Sequence, residues 1–220
     1  MVVLSPHLDD AVFACGALLA ARPGSTVVTL FAAAPAGAER VHTDWDARCG
    51  FADARQALGA RRAEDAAALA RLDARARWLD FVDAQYGERP GVDTLAAALR
   101  DELRVLGSPP LLYPLGLFHG DHLLAHDAAR AALGRLDGLE ALAYEDAIYR
   151  RLPGLLQQRL AALAAAGVVA TPAPLPPADA ADTARKAAAV RCYASQLRAL
   201  GGAGVADTAQ PERCWHLDAP

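Results

Sequence analysis

The sequence has few of the features that mark membrane proteins or disulfide-stabilised proteins. No apolar run approaches the ~20 residues that a membrane-spanning helix needs, and the first residues lack the basic segment and long apolar run of a signal peptide. Four cysteines occur among 220 residues, and none of them forms a Cys-x-x-Cys pair. We therefore expect no membrane span and a cytoplasmic location, with buried free thiols; the cysteine spacing gives a disulfide no support.

An excess of positive charge is also missing. The formal net charge is -4 at pH 7 and charged residues make up 22% of the chain, whereas a nucleic-acid-binding protein needs a basic face. The hydrophobic content of 54% argues against disorder, although alanine inflates this figure. A chain of this length can bury a proper core, so we predict a single domain over 1–220 and no nucleic-acid partner.

What the sequence does have is an alternation of strand-like and helix-like segments without an internal repeat. Strands are predicted at 1–4, 26–32, 77–83, 111–115 and 139–145. Helices are predicted at 10–22, 51–72, 92–106, 153–166 and 179–200, and within 118–136 after a short loop. Residues 33–50 are predicted to be a long loop, and 171–177 a Pro-rich connector. This order predicts an α/β fold, a Rossmann-like three-layer sandwich with a mostly parallel sheet.

Two polar motifs follow predicted strands of this sheet. The motif "SPHLDD" spans 5–10 after the first strand, and "FHGDH" spans 118–122 after the strand at 111–115. Ligands of such sheets bind beyond the carboxyl ends of the strands, near the point where the strand order reverses. We therefore expect the two motifs to meet at one edge of the sheet.

Together the motifs contain the side chains that a catalytic metal site requires. They are His7, Asp9, Asp10, His119, Asp121 and His122. A catalytic zinc ion takes three protein ligands and keeps one position open, and hydrolysis also needs a base and a partner for the developing oxyanion. Two histidines and one aspartate as ligands, a second aspartate as base and a third histidine would fill these roles. The first strand is not followed by Gly-x-Gly-x-x-Gly, which disfavours a dinucleotide cofactor.

The motifs resemble those of the PIG-L/LmbE family of zinc-dependent N-deacetylases. "SPHLDDA" is similar to the family's Pro-His-Pro-Asp-Asp-Glu signature, and "HGDH" to its His-x-Asp-His signature. "RRAEDAAALARL" resembles its Arg-x-x-Glu helix, and "KAAAVRCYASQ" its late Lys…Ser-Gln helix. Enzymes of this family remove acetyl groups from N-acetylglucosamine units. The resemblance therefore implies Zn²⁺ as the cofactor and an amino-sugar or glycoconjugate substrate.

The resemblance also implies a role for each motif residue. The implied zinc ligands are His7, Asp10 and His122. Asp9 would be the general base that takes a proton from the attacking water. His119 would be the imidazolium that stabilises the oxyanion, and Asp121 would orient it. The same donors could hold iron, cobalt or nickel, since geometry decides among these metals.

Three further residues are candidates for substrate binding. Arg61 and Asp83 fall where the family binds the sugar, although Arg61 could instead belong to a solvated helix face paired with nearby acidic residues. Trp45 lies in the predicted loop and could cover a sugar ring, or it could simply anchor the loop in the core. The sequence leaves the acylated substrate and a homo-oligomeric state open.

Two departures from the family signature and several simpler interpretations bear on the prediction. Leu8 replaces the second proline, and Ala11 replaces the glutamate. Asp9 or Asp10 could be the N-cap of the following helix, and His126 is expected to be structural.

Two alternative functions are a metal-dependent hydrolase of another amide or ester, and a non-catalytic relative that binds a sugar or a partner. A substrate panel separates the first alternative, and binding without turnover would indicate the second.

Overall fold

The fold is an α/β sandwich around one seven-stranded sheet. A computed structural model describes residues 1–87, 89–136 and 138–218. The strands are β1 (Val2–Ser5), β2 (Thr26–Thr29), β3 (Arg75–Trp78), β4 (Leu111–Pro114), β5 (Ala141–Tyr144), β6 (Val169–Ala173) and β7 (Cys214–Asp218). The helices are α1 (Asp10–Ala20), α2 (Asp44–Cys49), α3 (Ala54–Arg71), α4 (Val92–Val105), α5 (Gly120–Leu133), α6 (Leu155–Ala165), α7 (Ala180–Val190) and α8 (Ala194–Thr208). Two short 3-10 helices cover Ala38–Arg40 and Ala84–Tyr86.

The strands lie in the order β3-β2-β1-β4-β5-β7-β6. The first five in this order are parallel, and β7 is antiparallel to both β5 and β6. The chain builds the sheet in one direction from β1 to β3 and then crosses to β4 on the other side of β1. The strand order therefore reverses between β1 and β4, which is where such folds bind their ligands. The predicted mostly parallel sheet is confirmed.

The alternation of side chains along each strand separates two apolar cores. Val3 and Val27 belong to the core that α1, α3 and α7 cover, together with residues such as Leu69 and Val190. Their strand neighbours, among them Leu4, belong to the opposite core under α4, α5 and α6. Since successive strand side chains point to opposite faces, two helical layers enclose the sheet. The predicted three-layer architecture is confirmed, while the assignment of 1–220 to a single domain stays a prediction.

Several predicted boundaries were wrong. β2 ends at Thr29 and β3 at Trp78. Beyond these ends the two segments pair only in isolated β-bridges, Phe31 with Asp80 and Ala33 with Val82. The segment 33–50 was predicted to be a loop, but it contains a 3-10 helix and α2. The start of α2 has a local signal, because the Thr43 hydroxyl accepts a hydrogen bond from Asp46 N at 3.1 Å.

The C-terminal part of the chain also differs from the prediction. The predicted Pro-rich connector overlaps β6, where Pro172 is tolerated because β6 lies at the edge of the sheet and pairs only with β7. The predicted helix at 179–200 is two helices, α7 and α8, and α8 has a non-helical residue, Gly201, inside it. The prediction missed β7. In the described part of the chain no helix is long and apolar enough to cross a bilayer.

Candidate active site

The two polar motifs meet where the strand order reverses. The first lies between β1 and α1, and the second leads from β4 into the first turn of α5. The ring centroid of His7 lies 5.2 Å from that of His119 and 5.4 Å from that of His122. The prediction that these distant segments share one edge of the sheet is confirmed.

Ser5 and Asp10 determine the conformation of the first motif. The Ser5 hydroxyl accepts a hydrogen bond from Ala11 N at 3.0 Å and donates one to the His7 carbonyl oxygen at 2.5 Å. The Asp10 carboxylate accepts from His7 N at 2.9 Å. Asp9 occupies the N-cap position of α1, but its side chain makes no capping hydrogen bond. The prediction that Asp9 could be the N-cap residue holds for its position, but its carboxyl group does not cap the helix and instead lines the cavity described below.

His7, Asp10 and His122 form a cluster with the donors that zinc prefers. One potential ligand atom of each lies within 4.8 Å of the others, and Asp10 Oδ2 is 3.1 Å from His7 Nδ1 and 3.2 Å from His122 Nε2. His122 Nε2 is buried, and its contact with Asp10 Oδ2 lacks the geometry of a hydrogen bond, so this nitrogen has no hydrogen-bond partner. A buried nitrogen without a partner costs free energy, and a metal ion at this position would remove that cost. The two imidazole nitrogens and one carboxylate therefore fit zinc.

A second group of possible ligands overlaps the first. His7, His119 and Asp121 also have ligand atoms within 4.8 Å of one another. The unpartnered nitrogen of His122 belongs to the first group, and we therefore take that group as the candidate metal site.

Each histidine of the candidate metal site also contacts a buried carboxylate outside it. His122 Nδ1 donates to Asp146 Oδ1 at 2.6 Å, and Asp146 Oδ2 accepts from the backbone N–H groups of Gly116 and Leu117. His7 Nε2 lies 3.1 Å from Asp121 Oδ2. Such contacts fix the tautomer of a ligand histidine and leave its other nitrogen free for a metal. The sequence analysis missed Asp146, although it follows a predicted strand at the same edge of the sheet.

Asp121 contacts His119 differently from the expectation. Its carboxylate bonds to His7 and accepts from Ala84 N at 3.1 Å. Its backbone N–H, rather than its side chain, donates to His119 Nδ1 at 3.2 Å. A role of the Asp121 carboxylate in orienting His119 stays a prediction.

The electrostatics of the site bring one carboxyl group close to neutral pH. Burial and the neighbouring Asp10 carboxylate raise the pKa of Asp9 to about 7. Burial by itself lowers the pKa of His122, but the carboxylates of Asp10 and Asp146 outweigh it and raise the pKa to about 9. Burial and the neighbouring rings of His7 and His122 lower the pKa of His119. Asp9 can therefore gain and lose a proton near pH 7, and a charged form of His119 stays a prediction.

The candidate metal site opens into a cavity of about 370 Å³. Its polar lining includes His7, Asp9, Asp10, Arg61, Asp83 and His119. Its apolar lining includes Leu8, Phe31, Trp45, Leu58, Phe118, Ile148, Tyr149, Tyr193 and Leu200. A cavity that combines a few convergent polar groups with apolar walls is typical of a small-molecule site.

Arg61 extends from α3 into this cavity with only loose partners. Its side chain is 11% exposed, Nη2 lies 3.4 Å from Asp46 Oδ1, and Nη1 lies 4.0 Å from Asp83 Oδ2. Its Nε is buried without a hydrogen-bond partner. The interpretation of Arg61 as part of a solvated helix face was wrong. Asp46, which the sequence analysis missed, is fully buried and also accepts from the Tyr86 hydroxyl at 3.1 Å.

The other two candidates for substrate binding also line the cavity. Asp83 Oδ2 lies 3.8 Å from His7 Nε2, and its other oxygen accepts from Gln85 N. Trp45 donates its indole N–H to Gln196 Oε1 at 3.1 Å. Trp45 thus combines the two interpretations of its role, since it is anchored to α8 and still borders the cavity.

Other positions of the sequence motifs stabilise the scaffold rather than the site. Glu64 accepts from the backbone N–H and the hydroxyl of Ser195, which holds α3 against α8. His126 Nδ1 bonds to the Pro114 carbonyl oxygen at 2.9 Å in the interior, which agrees with the structural role predicted for it. Ala11 is buried in the core beneath the site and is not among the residues that line the cavity. The departure from the signature at Ala11 therefore changes the core rather than the cavity wall.

Comparisons with known proteins agree with the motifs. Residues 2–133 match the sequence model of a family described as PIG-L, GlcNAc-PI de-N-acetylase. The 2'-N-acetylparomamine deacetylase of Streptomyces fradiae is 33% identical over an alignment of 167 residues, and the match covers 67% of this chain. The match spans 57% of the length of that relative.

Two solved structures share the fold over nearly the whole chain. The A40926 pseudoaglycone deacetylase Dbv21 is 30% identical with a TM-score of 0.74, over 99% of this chain and 96% of that one. The zinc-inhibited form of teicoplanin deacetylase Orf2 is 23% identical with a TM-score of 0.76, over 99% of this chain and 97% of that one. At the lower identity the likeness supports the fold alone.

Proposed function

The chain belongs to the PIG-L family of de-N-acetylases, and we propose that it is a metal-dependent deacetylase that removes the N-acetyl group of an N-acetylglucosamine-type amino sugar. The proposal rests above all on the unpartnered, buried Nε2 of His122, which faces Asp10 within 4.8 Å of a second imidazole. The similar proteins are named as deacetylases of 2'-N-acetylparomamine and of A40926 pseudoaglycone, which supports an amino sugar in a larger glycoconjugate as the substrate.

The proposed cofactor is Zn²⁺. His7, Asp10 and His122 would hold it, because their nitrogen and oxygen atoms are the donors that zinc accepts in hydrolytic sites. When bound, zinc supplies Lewis acidity at the reacting carbonyl group. Iron, cobalt or nickel could use the same donors, and elemental analysis would distinguish them.

Asp9 is the proposed general base and acid. Its carboxyl group lines the cavity beside the candidate metal site, and no capping hydrogen bond to α1 occupies it. It would accept a proton from the attacking water and deliver that proton to the amine as the amide C–N bond breaks. The products are acetate and the free amino sugar.

His119 is the proposed hydrogen-bond donor to the developing oxyanion. Its Nδ1 accepts from Asp121 N, so a neutral ring has its proton on Nε2, where it can donate. A neutral donor is sufficient for this role, since preorganised hydrogen bonds stabilise an oxyanion in a buried site. The substrate's hydroxyl groups would bind Arg61 and Asp83, and Trp45 would offer a ring face.

The test compares the wild type with His122→Ala and Asp9→Asn. We expect near-stoichiometric metal in the wild type and in Asp9→Asn, and none in His122→Ala. Acetate release from N-acetylglucosamine conjugates should fall by roughly 100-fold or more in Asp9→Asn, which loses its base but not its metal. Binding of the conjugates by the metal-loaded wild type without acetate release would contradict the proposal and indicate the non-catalytic relative. Release of other acids alone would indicate a different amide or ester hydrolase.

We also propose a cytoplasmic location, because the four cysteines are free thiols.

A further inference from the structure

Phe118 is an exposed aromatic residue at the entrance of the proposed active site. Its side chain lines the cavity, yet 64% of its surface remains exposed to solvent. The other large apolar residues with comparable exposure in the described part of the chain, Val105 and Val169, do not line this cavity. A single exposed apolar residue is common, so exposure alone does not indicate a function.

The backbone at Phe118 is strained as well. Its φ is 62°, in the left-handed region, because the chain reverses tightly there, with His119 N donating to the Leu117 carbonyl oxygen at 2.7 Å. Ile148, a β-branched residue on a second loop that lines the cavity, has a φ of 66°. Such conformations are unfavourable and concentrate at functional sites, where the surrounding structure enforces them.

Among the described apolar residues other than glycine, only Phe118 and Ile148 have a positive φ, and both line the cavity. The other non-glycine residues with positive φ are Asp73 and Ser108. They follow the ends of α3 and α4, where a left-handed backbone conformation often ends a helix. At Ile148 the conformation is enforced from outside the loop, because Asp207 accepts from Ile148 N and also pairs with Arg150.

Tyr149 connects Phe118 to the catalytic residues. Its ring centroid lies 5.4 Å from that of Phe118, with the two planes at 33°. The same ring is stacked on His119 at 6.5 Å and lies edge-on to His122 at 5.1 Å. The aromatic surface therefore runs without interruption from the metal site to the solvent-exposed ring of Phe118.

We propose that Phe118 and Tyr149 form a platform for an aromatic group attached to the amino sugar. This inference rests on the proposed deacetylase function, because the scissile amide must lie near Asp9 and His119. The part of the substrate that projects outwards then meets Phe118, and an aromatic ring would cover its exposed face by offset stacking. The substrate class is accordingly an aryl glycoside of N-acetylglucosamine rather than the free sugar.

The test measures selectivity between two substrates that differ only in the group on the sugar. Acetate release is measured from 4-nitrophenyl and from methyl N-acetyl-β-D-glucosaminide with the metal-loaded enzyme. We expect kcat/KM to favour the aryl glycoside by roughly 3- to 10-fold in the wild type, and the ratio to approach one in Phe118→Gly. A wild type without preference, or a Phe118→Gly enzyme that keeps the preference, would overturn the platform.

Two controls separate binding from folding. Glycine adopts a φ of 62° without steric cost, so Phe118→Gly should melt no lower than the wild type, whereas a purely structural Phe118 would leave a less stable variant. Val105→Ala, which truncates a similarly exposed side chain outside the cavity lining, should leave the selectivity ratio unchanged.

A binding measurement keeps the platform testable if neither glycoside is hydrolysed. Calorimetry would measure the affinities of the two deacetylated glycosides, 4-nitrophenyl and methyl β-D-glucosaminide, for the wild type and for Phe118→Gly. Tighter binding of the aryl compound by the wild type alone would support the platform even if the deacetylase function failed. Equal affinities in both proteins would overturn the platform, whatever the enzyme hydrolyses.

Discussion

His122 is held between two carboxylates, and each of them contacts a different ring nitrogen. Asp146 accepts the proton of Nδ1, and Asp10 lies 3.2 Å from Nε2. Because Asp146 also accepts from the backbone N–H groups of Gly116 and Leu117, it can act only as an acceptor at this place. The hydrogen bond therefore directs Nε2 toward the candidate metal site, where a metal ion would replace the proton on this nitrogen.

Asp146→Asn should impair metal binding without removing a ligand. The asparagine oxygen must accept from the two backbone N–H groups, so its NH₂ group would face His122 Nδ1 and favour the tautomer with the proton on Nε2. We expect metal affinity to fall by about 10- to 100-fold, measured by competition with a chromophoric chelator. Asp127→Asn, an exposed position on the same helix as His122, is the matched control and should bind metal normally. Wild-type affinity in Asp146→Asn would refute this role.

At the scale of secondary-structure elements, one buried carboxyl group connects α3 to β3 and to the start of α8. Asp65 accepts from Trp78 Nε1 at 2.7 Å and from the Tyr193 hydroxyl at 2.8 Å. Burial raises the pKa of Asp65 to about 7, since these two hydrogen bonds only partly offset the loss of water. The native state therefore binds a proton more tightly at Asp65 than the unfolded chain does.

This difference predicts a pH-dependent stability. The protonated carboxyl group of Asp65 stabilises the native state relative to the unfolded chain. This stabilisation decreases as pH rises from about 4, the usual pKa of an aspartate, to about 7, and it does not change further above pH 7. In Asp65→Asn the amide can accept from Trp78 and donate to Tyr193. We therefore expect the free energy of unfolding of the variant, relative to the wild type, to increase between pH 4 and 7.5. Urea unfolding of both proteins at several pH values measures it, and a constant difference would contradict the prediction.

Helices α1 and α7 pack so closely that one position tolerates only glycine. A Cβ atom added to Gly16 would lie 2.7 Å from Cγ of Lys186, and Lys186 cannot move freely because its ammonium group pairs with Glu212 at 2.9 Å. Gly16→Ala should destabilise the protein by about 1–3 kcal/mol through overpacking. Gly59→Ala in α3 meets nothing within 4 Å, and it should stabilise by about 0.5–1 kcal/mol. Thermal or urea unfolding would measure both, and equal effects would refute the packing argument.

The order of the first five strands and of the long helices between them could be predicted from the sequence, and their ends could not. Apolar runs such as "VVL" and "TVVTLF" indicate buried strands whatever their neighbours are, so β1 and β2 were found. The ends of β2 and β3 depend on where the two neighbouring strands diverge from each other, which no local sequence pattern encodes. β7 was missed because its residues alternate between buried and exposed over only five positions and its two partners, β5 and β6, lie far from it in sequence.

At the scale of the whole molecule, a bound metal should stabilise the fold. The three proposed ligands lie on two segments more than 100 residues apart, so the unfolded chain cannot present them together. Zn²⁺ at a free concentration of 100 times its dissociation constant would add about 2.7 kcal/mol of stability. We expect zinc to raise the melting temperature of the wild type reversibly, with the rise abolished by a chelator, and to leave His122→Ala unchanged. An equal rise in both proteins would indicate binding elsewhere.

The sequence by itself determined the α/β class, the place of the two motifs at one edge of the sheet and, through its resemblance to a family, the candidate ligands His7, Asp10 and His122. These follow from local apolar patterns and from residue types at short spacings, which do not depend on the rest of the chain. Only the tertiary structure decided that Asp146 contacts His122, that Asp121 contacts His7 and that Phe118 remains exposed. Such contacts join residues 24 and 114 positions apart, and their geometry is set by the packing of the strands and helices between them.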